Sequence, residues 1–92
     1  MEKRRNHLEI IYDILKVIKT REGKIKPTHI LSKSNLSPPM LKSYLSELKT
    51  KGFITEKIDK NGRKTYSVTD LGNDYMGDYN IIKSFTNSYG LD

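Results

Sequence analysis

The apolar residues of this chain keep helical spacing as far as Leu48 and alternate after Gly52. That change of period restricts the fold more than any other feature. Spacing of three and four buries one face of a helix, whereas alternation buries one face of a strand. Upstream of the change, Leu41, Tyr44, Leu45 and Leu48 follow the i, i+3, i+4, i+7 pattern. Downstream, Phe53, Ile54, Ile58, Tyr66 and Val68 are strand-type residues, and Asp59-Lys60-Asn61-Gly62 lies between the two runs. Asn-Gly is a strong hairpin signal, because both residues tolerate left-handed backbone. Residues 53–68 are therefore predicted to form a β-hairpin.

The helix that precedes this hairpin has a defined start and stop. Ser37 can accept a hydrogen bond from a backbone N–H two or three residues on, and Pro38 has a preset φ and no donor to waste. Gly52 is a natural terminator. Opposite the apolar stripe lie Pro39, Ser43, Ser46 and Thr50, flanked by Lys42 and Lys49, with Glu47 to one side. Such a face is small, polar and free of acids, so it can approach a phosphate-lined groove without like-charge repulsion.

The other helices carry their own signals. Asn6 is a good N-cap, with Glu9 three residues on, and predicts a helix to about Thr20. Leu8, Ile11, Leu15 and Ile18 form one apolar stripe along it, with Tyr12 at its edge; Ile10, Ile14 and Val17 form a second. Two stripes exceed what one face of a surface helix needs, so the second calls for another cover. Lys24-Ile25-Lys26 reads as a small edge strand or extended linker. Pro27 begins a short helix that closes by Asn35, and Asn35-Leu36-Ser37 is a tight turn. Two short helices joined in this way form a helix-turn-helix pattern. Thr69 and Asp70 start a last helix, striped by Leu71, Tyr75, Tyr79, Ile82, Phe85 and Tyr89. Gly72 and Gly77 weaken it by about 1 kcal/mol each relative to Ala. The predicted fold is mainly α with a small β-hairpin (α+β): a winged helix-turn-helix with an extra C-terminal helix. Residues 1–5 form a basic tail, 6–68 the helix-turn-helix and wing, and 69–92 the last helix of the same unit.

Charge separates along the 92 residues. The net charge is +6, yet residues 1–68 carry sixteen Lys/Arg against seven Asp/Glu, while residues 69–92 carry Lys83 against Asp70, Asp74, Asp78 and Asp92. A polyanion is attracted to the first part and not to the last. With no Cys, neither a disulfide nor a thiolate metal site is available. His7 and His29 lack the spacing of a metal site. No nucleophile has an oriented base, so an enzyme is not expected. No cofactor or small-molecule ligand is evident. No apolar run approaches the roughly 20 residues of a membrane span. The expected location is cytoplasmic, in association with the nucleoid.

Thr65-Tyr66-Ser67-Val68-Thr69-Asp70-Leu71-Gly72 resembles the tyrosine, aliphatic, threonine, glycine signature that closes the wing of many winged-helix regulators. Gly52-Phe53-Ile54 resembles their passage from recognition helix to wing. Glu9-Ile10-Ile11-Tyr12-Asp13-Ile14-Leu15 and Pro27-Thr28-His29-Ile30 are similar to small archaeal winged-helix proteins, including chromatin-associated ones and relatives carried by archaeal viruses and plasmids. The resemblance covers roughly residues 8–90. It implies double-stranded DNA as partner and a homodimer through the last helix. Tyr75, Tyr79, Ile82, Phe85 and Tyr89 would be the dimer stripe, with Ile10 and Ile14 beside it. This stripe differs from a regular zipper in being aromatic, in placing Asp78 seven residues after Leu71, and in the interruption at Gly77. The same residues could instead fold back on Ile10, Ile14 and Val17 of their own chain.

On this reading the helix from Ser37 enters the major groove. Ser37, Ser43 and Ser46 hydrogen-bond to phosphates or base edges, Pro39 lies on the same face, and Lys42 and Lys49 add charge along its flanks. Lys60, Asn61, Arg63 and Lys64 carry the hairpin to the adjacent backbone or minor groove, with Arg63 as inserter. Arg4 and Arg5 add a flexible contact. The face lacks the Arg, Asn and Gln that read guanine and adenine bidentately, so affinity is expected to be largely electrostatic. A protein-binding winged-helix module and an RNA binder are the alternatives.

Overall fold

The computed structural model describes residues 5–21 and 25–91. Along these the chain runs α1 (His7–Thr20), α2 (Pro27–Ser34), α3 (Pro38–Thr50), β1 (Ile54–Ile58), β2 (Lys64–Val68) and α4 (Asp70–Ser88). None of the described helices is long and apolar enough to cross a membrane.

Asn6 caps α1, its side-chain oxygen accepting from the Glu9 N–H at 2.8 Å. Both apolar stripes of this helix are used within the chain. Ile10, Ile11, Ile14, Leu15 and Ile18 are all buried, in one core with Ile25, Ile30, Leu41, Leu45, Leu48, Ile54, Tyr66 and Met76. This corrects the expectation that Ile10 and Ile14 border a dimer interface: α4 of the same chain packs on α1, and Ile14 has no exposed surface left. Leu8, expected in the buried stripe, is 49% exposed. It lies in the first turn of α1, and its carbonyl accepts a hydrogen bond from the Tyr75 hydroxyl at 2.7 Å.

The turn between α2 and α3 depends on Asn35, whose φ of 56° is left-handed. Asn accepts this conformation more readily than most residues, so α2 ends there. Ser37 then caps α3, accepting from the Met40 N–H at 3.4 Å. At the other end Gly52, at φ 77°, closes α3. The Gly52 N–H donates to the Lys49 carbonyl and the Phe53 N–H to the Leu48 carbonyl, at 3.0 and 2.9 Å. This paired arrangement satisfies carbonyls that the helix end leaves free.

The hairpin pairs Ile54 with Val68, Glu56 with Tyr66 and Ile58 with Lys64. Its tip is a three-residue loop, Lys60-Asn61-Gly62, in which Gly62 alone is left-handed, at φ 77°. Asn61 keeps a negative φ, so this is not the two-residue primed turn that Asn-Gly favours. Asp59 explains the difference: its carboxylate accepts from the N–H groups of Asn61 and Arg63, both at 2.9 Å. The expected strand at Lys24-Ile25-Lys26 reduces to a single antiparallel bridge between Ile25 and Tyr66; Lys24 lies outside the described residues.

Thr69 joins the wing to α4. Its N–H donates to the Phe53 carbonyl at 3.0 Å, its hydroxyl donates to the Gly52 carbonyl at 2.6 Å, and the same oxygen accepts from the Gly72 N–H at 3.1 Å. The first half of α4 lies on the body of the domain. Tyr79 stacks on Tyr12 with ring centroids 4.7 Å apart, and Tyr75 lies 5.3 Å from the Phe53 ring. Burial pushes the Tyr75 hydroxyl up to about 12, with Tyr79 and Glu47 adding to the shift. Tyr75 and Tyr79 thus serve their own chain, contrary to their expected place in a dimer stripe. The second half differs: Ile81, Ile82, Phe85, Tyr89 and Leu91 are all exposed.

Candidate nucleic-acid interface

The outer face of α3 is organised as its residue spacing implies. Leu41, Leu45 and Leu48 point into the core, and Ser37, Pro39, Lys42, Ser43, Ser46, Lys49 and Thr50 are exposed. The hydroxyl oxygen of Ser37 is occupied in capping the helix, which leaves its proton to donate outward.

The hairpin supplies the other wall. Lys42, Leu45, Ser46 and Lys49 of α3 share a cleft of about 220 Å³ with Glu56, Lys64 and Tyr66 of the hairpin. The antiparallel register brings this about: Lys64 opens β2 and Tyr66 stands opposite Glu56. Three lysines from two elements therefore converge on one groove. Lys60, Asn61 and Arg63 are exposed at the hairpin tip. The Arg63 N–H foremost, then the Asn61 N–H and the charges of Arg63 and Lys26, hold the Asp59 carboxyl below its usual range against the opposing effect of burial. Asp59 thereby shapes a tip whose remaining side chains are neutral or basic.

Sequence reasoning missed Glu56. Its carboxylate accepts from Lys49 Nζ at 3.2 Å and from the Tyr66 hydroxyl at 3.1 Å. Burial pushes this carboxyl up, but the hydrogen bonds from Lys49 and Tyr66 and the charges of Lys49 and Lys64 outweigh it and leave it below the ordinary value. Tyr66 is pushed up to about 12 by burial and by Glu56. The two-residue turn expected at Asn61-Gly62 would set Glu56 across from Ser67; the three-residue loop shifts the register by one and sets it across from Tyr66. The consequence is that Lys49 faces the groove already paired with an acid.

Arg5 also differs from expectation. Rather than forming part of a free basic tail, it donates to Asp13 at 2.8 Å and to the Ser34 and Asn35 carbonyls at 2.6 and 3.4 Å. It ties the start of α1 to the end of α2, where helix carbonyls lack intrahelical partners. Arg4 lies outside the described residues. His7, read as isolated, lies 3.0 Å from Glu47 and 3.2 Å from the Tyr44 hydroxyl. These contacts draw Glu47 toward α1. Among the described residues no three His, Asp or Glu side chains gather in a way that could hold a metal ion.

The sequence model of the winged helix-turn-helix family matches residues 4–87. The chain belongs to that family. In winged helix-turn-helix terms, α2 and α3 are the two helices of the motif, α3 is the recognition helix and β1–β2 is the wing. Among solved structures, the chain is similar to Sso10a-2, a DNA-binding protein from Sulfolobus solfataricus, at TM-score 0.78 and 26% identity, covering 94% of this chain and 87% of that one. It shares its fold with MepR, a transcription regulator of the Staphylococcus aureus multidrug efflux pump MepA, at TM-score 0.74 and 17% identity, covering 87% of this chain and 60% of MepR. A point mutant of MepR bound to an oligodeoxyribonucleotide matches at TM-score 0.73 and 16% identity, over 87% of this chain and 60% of that one. No curated protein matches the sequence.

Proposed function

We propose that this winged helix-turn-helix chain binds double-stranded DNA as a homodimer, acting as a transcriptional regulator or chromatin-associated protein and not as an enzyme. The observation that carries this reading is the groove in which Lys42, Ser46 and Lys49 of the recognition helix meet Lys64 of the wing. Positive charge contributed by two elements and concentrated on one surface suits a polyanion. The similarity to Sso10a-2, itself described as a DNA-binding protein, supports it.

In this mechanism α3 lies in the major groove. Ser43 and Ser46 let the helix approach closely and donate to phosphates or base edges, while Lys42 and Lys64 neutralise phosphates along the groove wall and Lys49, paired with Glu56, lies between them. Lys60, Asn61 and Arg63 extend the contact to the neighbouring backbone, with Arg63 positioned for a narrow minor groove. The acids of α4 stand apart from this surface in sequence. A second copy covers the exposed apolar half of α4 and supplies a second recognition helix.

A salt-dependent titration against random and genomic duplexes, with mass measured in the same buffer, tests the reading. Affinity should fall linearly with salt on logarithmic axes, and Lys60→Glu, Arg63→Glu and Lys64→Glu together should abolish binding. Salt-independent binding, or binding unaffected by the three reversals, would refute the assignment.

A further inference from the structure

From Pro38 to Leu41 the leading turn of the recognition helix offers no free backbone donor. Pro38 and Pro39 have no N–H. The Met40 N–H is taken by the Ser37 hydroxyl at 3.4 Å and the Leu41 N–H by the Ser37 carbonyl at 3.0 Å. A helix N-terminus usually attracts phosphate through its free N–H groups; here the positions from Pro38 to Leu41 are either proline or already bonded. What this end exposes instead is Pro38, Pro39 and Met40, the last of them 45% exposed. An apolar surface at the tip of a groove-binding helix needs an apolar counterpart. Of the groups that unmodified DNA presents in the major groove, the thymine C5-methyl is the apolar one.

We propose that Pro39 and Met40 contact thymine C5-methyl groups, so that this chain prefers duplexes with methylated pyrimidines in the major groove. The inference rests on the duplex-binding reading above and adds a base-dependent contact to its electrostatic one. Met suits the task because its unbranched, polarizable side chain adapts to a methyl at slightly different positions. Pro39 lies on the outward face with Ser43 and Ser46, and Met40 at its edge, one residue further into the first turn. Lys42 and Lys64 of the groove remain available for phosphates, so the two kinds of contact do not compete.

The test uses the full chain, two pairs of duplexes and three comparisons. The first is an A·T-rich duplex and the same sequence with every thymine replaced by uracil, which removes the methyl and keeps the hydrogen-bonding edges. The second is a G·C-rich duplex with and without 5-methylcytosine, which restores a methyl at the same ring position. The third repeats both pairs with Met40→Ala and Pro39→Ala proteins. Thymine should bind more tightly than uracil by about fourfold for each fully buried methyl. Methylcytosine should bind more tightly than cytosine, and the two variants should reduce both preferences. Equal affinity of the parent protein for thymine and uracil duplexes, with salt-dependent binding intact, overturns the methyl contact and leaves DNA binding standing. No binding to any duplex overturns both. Preferences that persist in Met40→Ala and Pro39→Ala assign the discrimination to DNA shape and overturn the proposal.

Discussion

The backbone of Gly72 sits directly against the carbonyl of Phe53: a Cβ at Gly72 would lie 2.3 Å from that oxygen and 2.7 Å from Val68 Cγ1. The first turn of α4 is thus pressed onto the junction between α3 and the wing, where the same Phe53 oxygen accepts the Thr69 N–H at 3.0 Å. The contact fixes the direction of α4 relative to the recognition helix. In the proposed dimer, that angle decides how two recognition helices meet one duplex.

Gly72→Ala should therefore destabilise the protein, although alanine is the better helix former. The clash involves backbone, which cannot rotate away, and overpacking of this kind costs about 1–3 kcal/mol or more. Gly77→Ala is the control, since nothing lies within 4 Å of a Cβ placed there. It should stabilise by about 0.5–1 kcal/mol through helix propensity. Urea denaturation of the two variants should move the midpoint in opposite directions.

Arg5 is expected to matter for stability. Arg5→Ala removes the bond to Asp13 and leaves the Ser34 and Asn35 carbonyls without the guanidinium. Hydrogen bonds to charged groups contribute about 1.5–3 kcal/mol, and partial exposure of this pair places the loss near the lower figure. Denaturation should report that loss, whereas duplex affinity, measured where both proteins are folded, should change no more than the loss of one paired charge allows.

Local signals in the sequence were sufficient for most of the fold. Asn6, Ser37 and Thr69 each cap the helix that their side chains and followers indicated, and the change of period at Gly52 located the wing. Lys42, Ser46, Lys49 and Lys64 were legible as basic and small residues on the recognition helix and wing, and they share a groove. What escaped were features defined by partners distant in sequence. Arg5 finds Ser34 across 29 residues, and Gly72 meets Phe53 from another element. Gly72 read alone is a helix breaker, and only the packing gives its purpose. Ile10 and Ile14 were ambiguous because an apolar stripe does not say whether its cover belongs to the same chain.

Glu56 should restrain duplex binding. Its carboxylate holds Lys49 and adds negative charge to the surface that would face phosphates. Glu56→Gln should raise affinity severalfold and steepen the logarithmic salt slope by about 0.9 if Lys49 gains one phosphate. The same carboxyl contributes to stability with a defined sign. Its folded value lies below the ordinary 4.5, so its contribution is present above that pH and is lost as pH falls through the folded value. Acid titration of stability should show a shallower decline below about pH 4.5 in Glu56→Gln than in the parent.

The two halves of α4 should respond oppositely to substitution. Tyr75→Phe removes the hydroxyl that donates to the Leu8 carbonyl at 2.7 Å, a loss of about 0.5–1.5 kcal/mol in stability. Because Tyr75 is turned toward its own chain, the mass in solution should not change. Phe85 is 57% exposed, with Tyr89 5.0 Å away between ring centroids. Phe85→Glu should leave the fold intact and place a charge where the second copy would pack, which unpaired burial makes strongly unfavourable. Its mass should fall to that of one chain, and duplex affinity should weaken, because two linked recognition helices bind with an avidity that one lacks. If Phe85→Glu and the parent have the same mass, the exposed half of α4 is not where two copies meet.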